Sequence, residues 1–360
     1  MKKGLGLLGV AGTTPLSEVC QRALALFDDH PTIEVRALIA DDPADVGRSF
    51  GEVTVGRWLR PEPVPERWVD TPLAGIDDDL RTAGVDLVLS SLIGPRAREL
   101  DPVVAALGLP VVSESMGLRL EPDVPLVVPE VNPEHIGLVE HQRSTRGWKG
   151  YIVASPLCTA VIAALVQKPL DIVFGVDSLV VTSLQALSGA GPSGVPAMAS
   201  LDNVLPHIDG EEEKLSAELP KILGKVEGTA IRPHDAQIAA TCTRVGVRHG
   251  HTLSMTFGLT SPATAGEVSE VLMSFRGSWP AGTASLRPDA PLTVESAAAR
   301  PQPLLDRDRD GGRVVTVGRV REQATPANGI GLVAVGHNHE RGTWGNAAML
   351  CEHLVADGWA

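Results

Sequence analysis

Cys158 stands where a short apolar run, Tyr151 to Val153, gives way through Ser155-Pro156 to an alanine-, valine- and leucine-rich run that reads as a helix. A thiol at that junction faces the positive end of a helix dipole, which lowers its pKa and enriches the thiolate, the nucleophilic form. A lone cysteine in an apolar run also reads as core packing. A second stretch with chemical potential is Gly9-Val-Ala-Gly12-Thr13-Thr14-Pro15. A glycine-rich turn opening a helix holds pyrophosphate on its amides, although a tight turn in any α/β protein uses the same residues. Asp41-Asp42 closes the next alternating run, Ile33 to Ile39. An acidic group there pairs with the ribose hydroxyls of NAD; two aspartates before Pro43 read equally as a turn.

The elements around these residues follow from periodicity. Gly4 to Val10, Ile33 to Ile39, Val85 to Ser91, Leu109 to Ser113 and Pro125 to Val128 read as strands, with helices over Leu16 to Phe27 and Pro95 to Leu107. Alternating β and α elements imply a mainly parallel sheet, a Rossmann-type α/β domain. After Cys158 the pattern changes. Asp171 to Val181 and Ala236 to Met255 alternate over long runs, helices fall near Glu211 to Leu223 and Glu267 to Phe275, and strands return at Arg313 to Val320 and Ile330 to Val335. That is an α+β domain with a mixed sheet. A last helix, Thr343 to Val355, returns to the first domain. The expected division is 1–149 with 336–360 for dinucleotide binding, and 150–335 for catalysis and dimerisation.

Composition bounds the partners. With 31 Lys and Arg against 44 Asp and Glu, the net charge of −13 argues against nucleic acid or an anionic membrane. The apolar run after Lys2-Lys3 is short and glycine-punctuated, so it does not read as a secretory signal. No run approaches the roughly 20 apolar residues of a spanning helix. Cys20, Cys158, Cys242 and Cys351 are far apart, with neither metal-ligand spacing nor a disulfide framework, which suits a reducing cytoplasm.

Seven segments resemble the aspartate-β-semialdehyde dehydrogenase family in its archaeal and fungal branch: DVPLVVPEVNPEHIGLVEHQ, RGWKGYIVASPLC, LQALSGAGPSGV, DNVLPHIDGEEEKLSAELPKILG, TCTRVGVRHGHT, RPQPLLDRD and GHNHERGTWGNAAMLCEHL. They occur in the family's order over nearly the whole chain. The resemblance implies reduction of an acyl phosphate, β-aspartyl phosphate or a close analogue, to the semialdehyde through a cysteine thioester, with NADP or NAD. It matches Cys158 to the nucleophile, His251 to the acid/base and Gln185 to a substrate-orienting amide. Arg244 matches the clamp for the substrate carboxylate, Glu218 the partner of its ammonium, and Lys221 with Arg119 the phosphate site. Gly9, Gly12, Thr13, Thr14, Asp41 and Ser91 fall on the dinucleotide side. Gly189, Ala190, Gly191 and Asn338 fall beside the nicotinamide. The partners implied are a small anionic amino-acid substrate, phosphate and further copies of the chain, as a homodimer or homotetramer.

The chain departs from the family around cofactor and nucleophile. Pro15 replaces a glycine of the loop. Ala40-Asp-Asp-Pro-Ala-Asp45 stands where the family carries Ser or Thr with Arg, so three aspartates oppose a 2′-phosphate and favour NAD, unless Arg48 reaches back. Glu114 replaces an asparagine, Leu157 an amide beside the thiol, and Trp344 and Asn346 two small residues. A paralogue that kept the substrate pocket and lost efficient hydride chemistry is one alternative. A reductase for a related acyl substrate is another, and of these an acyl-CoA reductase would make little use of a phosphate clamp. On one strand, an offset of seven puts Arg244 and His251 on opposite faces, so a turn near Gly250 must intervene if they share a site.

Overall fold

The computed structural model describes all residues except 1, 10–17, 28, 57, 59, 61, 77–79, 192–193 and 280–284. Gly12, Thr13, Thr14 and Pro15 of the expected pyrophosphate loop therefore lie outside the described residues. Five parallel strands make the first sheet: β1 (Lys3–Leu8), β2 (Ile33–Ile39), β3 (Leu87–Ser90), β4 (Pro110–Ser113) and β5 (Tyr151–Ala154), in the order β2-β1-β3-β4-β5. Strands β1, β3, β4 and β5 are buried on both faces, as a parallel sheet covered on both sides requires, while the edge strand β2 turns Glu34 and Arg36 outward. The helix Trp344–Ala356 packs its apolar face into this domain's core beside Phe27 and Leu89, the expected return of the chain.

Nine further strands follow: β6 (Val176–Gln185), β7 (Val204–Leu205), β8 (Lys225–Glu227), β9 (Ala230–Arg232), β10 (Gln237–Val245), β11 (His251–Leu259), β12 (Leu292–Glu295), β13 (Val315–Gln323) and β14 (Gly329–Gly336). Seven form a mixed sheet, β12-β13-β14-β11-β6-β10-β7, and β8 and β9 pair separately. Two sequence readings need correction. Pro125 to Val128 forms no strand, only a single bridge from Leu126 to Ala154. The alternating run assigned from Asp171 instead continues a helix to Phe174 before β6 begins. In addition β5 lies past residue 149 and yet belongs to the first sheet, because Pro110 to Ser113 pair with Tyr151 to Ala154.

The helix Cys158–Phe174 runs from the end of β5 onto the second sheet. It is apolar nearly all round and buried over most of its length, as a helix between two layers must be. Its Ile162 closes on Gly336, where an added Cβ would stand 2.7 Å from Ile162 Cγ1. Gly336→Ala is expected to destabilise the protein by about 1–3 kcal/mol. Trimming the facing side chain by Ile162→Val in the same chain should restore part of the loss. Denaturant titration of the single and double variants checks this, and a wild-type midpoint for Gly336→Ala would contradict the contact.

Candidate active site

Three strands of the second sheet deliver the site at one level. The parallel pairing of β10 with β6 sets Arg244 opposite Gln185. The antiparallel pairing of β11 with β6 sets Thr252 opposite Leu184, so His251 lies level with Gln185. The required turn is present: the chain leaves β10 at Val245, passes Gly250 at φ +92° and enters β11 on the other side of β6. Residues seven apart in sequence thereby flank one glutamine.

Cys158 begins its helix with Sγ 3.1 Å from His251 Nε2. The backbone N–H of Ala186 donates to His251 Nδ1 at 3.0 Å. An amide can only donate, so Nδ1 is the acceptor and the neutral ring carries its proton on Nε2, facing the sulfur. Burial, followed by the nearby Arg244 charge, holds the His251 pKa well below the usual imidazole range. Burial also pushes the Cys158 thiol up to about 12, and the Glu211 carboxylate adds to this against the Thr159 N–H, Arg119 and Arg244. The expected lowering by the helix end is thus outweighed. Desolvation of a fully enclosed sulfur exceeds the pull of one helix terminus and two guanidinium groups.

The charged residues take partners that sequence reading did not assign. Arg244 Nη1 donates to Ala186 O at 2.8 Å and reaches Gln185 Oε1 at 3.5 Å. Gln185 Nε2 donates to Glu211 Oε2 at 3.0 Å, and Lys214 pairs with Glu211 Oε1 at 3.0 Å. Glu211, buried beside Arg244 and the thiol, is the carboxylate sequence reading missed. The helix Glu211–Ile222 repeats the spacing Glu-x-x-Lys as Glu211/Lys214 and Glu218/Lys221. Seven residues are two helical turns, so both pairs share a face.

Glu218 instead accepts Leu157 N–H at 2.6 Å and pairs with Arg119 Nη1 at 3.2 Å. Lys221 departs further from the phosphate role. Its ammonium donates to the carbonyls of Arg119 (2.8 Å), Glu121 (2.7 Å) and Val124 (2.8 Å), and burial lowers its pKa to about 8. Arg119 also donates to Glu114 O, while its buried Nε has no hydrogen-bond partner among the described residues.

On the dinucleotide side, Gly9, Asp41, Asp42, Ser91 and Arg96 line a cavity of about 410 Å³. Gly9 lies at φ +92°. A Cβ there would stand 3.0 Å from Ser91 Oγ, so only glycine leaves the backbone this close. Asp41 Oδ1 is buried with no hydrogen-bond partner among the described residues, and burial raises the pKa of its carboxyl. Arg96 donates to Asp41 O and to Glu99, and Arg48 is paired with Asp45 rather than reaching back. Near the thiol, Gly189 presents a bare Cα to Arg244 and His251, with Ala190 and Gly191 completing its turn. Asn338 is fixed by Gly250 N–H and by its own donation to Ser188 Oγ, each at 2.9 Å.

The departures from the family pattern converge on the nucleophile turn. Glu114 is pushed up to about 7 by burial, against the pull of Arg119 and of the Ser155 hydroxyl, and Asn346 Nδ2 donates to Ser155 Oγ at 3.1 Å. Trp344 is buried at the start of its helix, with Arg22 over its ring at 5.9 Å. Among the described residues no group of His, Cys, Asp and Glu could hold a metal ion, and no helix is long and apolar enough to cross a membrane.

Residues 6–139 match the family described as semialdehyde dehydrogenase, NAD binding domain, and residues 167–339 its dimerisation domain. An aspartate-semialdehyde dehydrogenase of Methanothermobacter thermautotrophicus is 38% identical over 97% of this chain and 98% of its own length. A malonyl CoA reductase (NADP) of Metallosphaera sedula is 33% identical over 98% of this chain and 97% of its own. The crystal structure of aspartate semialdehyde dehydrogenase with NADP from Candida albicans superposes with a TM-score of 0.86 at 34% identity, covering all of both chains.

A sulfur with a pKa near 12 and a neutral imidazole donor make a specific expectation for the substrate-free protein. Alkylation of Cys158 by iodoacetamide should rise about tenfold per pH unit from 6 to 9 without a plateau. Peptide mapping of the alkylated protein measures this, and a midpoint below pH 7 would mean a preformed thiolate–imidazolium pair.

Proposed function

This chain belongs to the semialdehyde dehydrogenase family, and from that premise we propose that it reduces β-aspartyl phosphate or a close analogue to the semialdehyde, in a cytoplasmic amino-acid biosynthetic role. The observation that carries the reading is the 3.1 Å contact between Cys158 Sγ and His251 Nε2 at the start of a buried helix. Gln185, Arg244 and Glu211 stand around it.

Chemistry follows from those groups. Cys158 sulfur attacks the acyl carbon, the C–O bond to phosphate breaks, and the thiol proton leaves with the phosphate, giving a thioester on the chain. A nicotinamide dinucleotide, which Gly9, Ser91 and Asp41 would hold, would supply the hydride for reduction of this thioester. The carbon–sulfur bond then breaks, releasing the aldehyde and a thiolate that regains a proton from solvent. His251 serves throughout as a donor: its Nε2–H stabilises negative charge on sulfur or carbonyl oxygen, because Nδ1 is occupied by Ala186 N–H. Arg244 holds the substrate carboxylate as a paired donor, and Glu211 takes the ammonium in place of the expected Glu218. Arg119, with its unpartnered Nε, is the phosphate donor.

Gly9, Ser91 and Asp41 suit a dinucleotide: close backbone approach, a hydroxyl and a buried carboxylate oxygen awaiting donors. The Asp41 oxygen suits ribose hydroxyls, and Arg96 and Arg48 are already engaged by Asp41 O and Asp45 rather than open to a 2′-phosphate. NAD is therefore the preferred cofactor. A homodimer or homotetramer built on the second sheet is the assembly we propose. The second reading is an acyl-CoA reductase, favoured by one observation: Lys221, expected to bind phosphate, is spent on carbonyls.

The test is phosphate-dependent oxidation of aspartate semialdehyde with each cofactor, beside reduction of an acyl-CoA thioester. The acyl-phosphate reading expects phosphate-dependent turnover, with kcat/KM for NAD about tenfold or more above that for NADP. Asp41→Ser should narrow that ratio by a similar factor. Turnover only with the thioester would replace the first reading by the second. An NADP preference in the wild type would overturn the cofactor assignment.

A further inference from the structure

The helix Glu211–Ile222 carries Glu218 and Lys221 one turn apart, both facing inward. Glu218 is 1% exposed, Lys221 9% and Arg119 5%. Glu218 and Lys221 are each consumed in fastening another part of the site. The Glu218 carboxylate joins two groups at once, the Leu157 N–H at 2.6 Å and the Arg119 guanidinium at 3.2 Å. Leu157 is the residue directly before the nucleophile, and its own side chain makes no capping bond at the helix start. The Lys221 ammonium places its three donors on the three carbonyls of the segment 119–124 that carries Arg119. The acids of that segment are engaged elsewhere, Asp123 with Arg146 and Glu121 with Arg98 and Arg146.

We infer that Glu218 and Lys221 are positioning residues that lock the nucleophile's turn and the Arg119 segment to one helix, and that neither touches the substrate. This deepens the reading of Cys158 as nucleophile and Arg119 as phosphate donor, and it rests on that reading. One end of the helix presents Glu211 to the pocket, and its other end holds the thiol and the anion donor at a fixed separation from it. Lysine suits the post because an ammonium directs three donors tetrahedrally. A planar guanidinium cannot meet three carbonyls in that geometry, although it binds phosphate at least as well.

Charge geometry separates this role from direct binding. Lys221→Arg and Lys221→Met should each raise KM for phosphate about tenfold, with KM for the aldehyde little changed. In an Arg119→Ala background Lys221→Met should add less than about twofold, since it acts through Arg119. Retained phosphate affinity in Lys221→Arg, or multiplying effects in the double variant, would make Lys221 a ligand and overturn the inference. A second readout needs no turnover, so it survives failure of the acyl-phosphate reading. Glu218→Gln removes an anion from the turn and leaves the Arg119 charge uncompensated. Iodoacetamide alkylation of Cys158 should then quicken about threefold at every pH from 7 to 9, a parallel displacement of the profile. Unchanged or slower alkylation overturns the role given to Glu218. Dinucleotide binding to the first domain, measured by fluorescence on each variant, establishes that the chain is folded.

Discussion

Everything at this site depends on enclosing a thiol and an imidazole together, away from water. His251 is fully buried and Cys158 nearly so, which keeps both neutral before substrate arrives. Enclosure makes the sulfur a poor nucleophile in isolation and makes each nearby dipole strong. Arg119, Arg244 and the Thr159 N–H already pull against the desolvation of the thiolate. A substrate that brings its own phosphate to receive the proton completes the balance, so reactivity is released by the ligand rather than stored in the free protein. The imidazole fits that scheme only as a donor. A ring with Nδ1 facing a backbone N–H cannot become imidazolium without losing that contact, and the contact ties it to Ala186, the residue after Gln185.

The same enclosure dictates how the cations are handled. A buried ammonium without partners is costly, and a carboxylate partner would cancel the field the site needs. Three carbonyls solve this for Lys221, satisfying its donors with neutral dipoles. Arg341 and Glu130 take the opposite course as a fully buried ion pair at 2.8 Å, just before Gly342. An added Cβ at Gly342 would stand 2.5 Å from Cys158 Cβ. The last turn before the C-terminal helix is therefore pressed on the nucleophile from the first domain, while the strand ends press from the second. Catalytic geometry here is a property of the junction.

Much of this was legible in the chain, for identifiable reasons. The alternating run Ile33 to Ile39 is a strand with those same limits, since period two puts Ile33, Val35, Ala37 and Ile39 on one buried face. The junction at Cys158 was clear because Ser155-Pro156 stops a strand and the following apolar run is too long for one. Pro125 to Val128 failed because an apolar run of four can be buried without ladder partners; it lies beside β5 and makes one bridge. The passage from one sheet to the next was not legible near 149, because β5 joins the first sheet and the helix after it runs onto the second, and adjacency in sequence hides that division. Gln185, Arg244 and His251 came together because sheet register, once β6 is central, leaves them no choice. The partners of Glu218 and Lys221 were not legible, because two identical spacings on one helix face differ only in what lies opposite, which no local pattern encodes.

Three of the departures from the family pattern look scattered in sequence: Glu114 after β4, Leu157 before the thiol, Asn346 in the last helix. In space they surround one residue. Ser155 takes a hydrogen bond from Asn346 and meets the Glu114 carboxyl, while Leu157 turns its backbone N–H to Glu218. Removing an amide at 157 without change elsewhere would loosen the turn that ends β5. Here a polar network from β4 and the C-terminal helix holds that turn from behind, and an acid from the second domain holds it from the front. Asn346 also donates to Val127 O, so the same side chain fixes the segment running beside β5. Substitutions that decayed independently after loss of activity would have no reason to share a partner. Their convergence on the residue three positions before the sulfur is what a site kept under constraint produces, and it weighs against a degenerate paralogue.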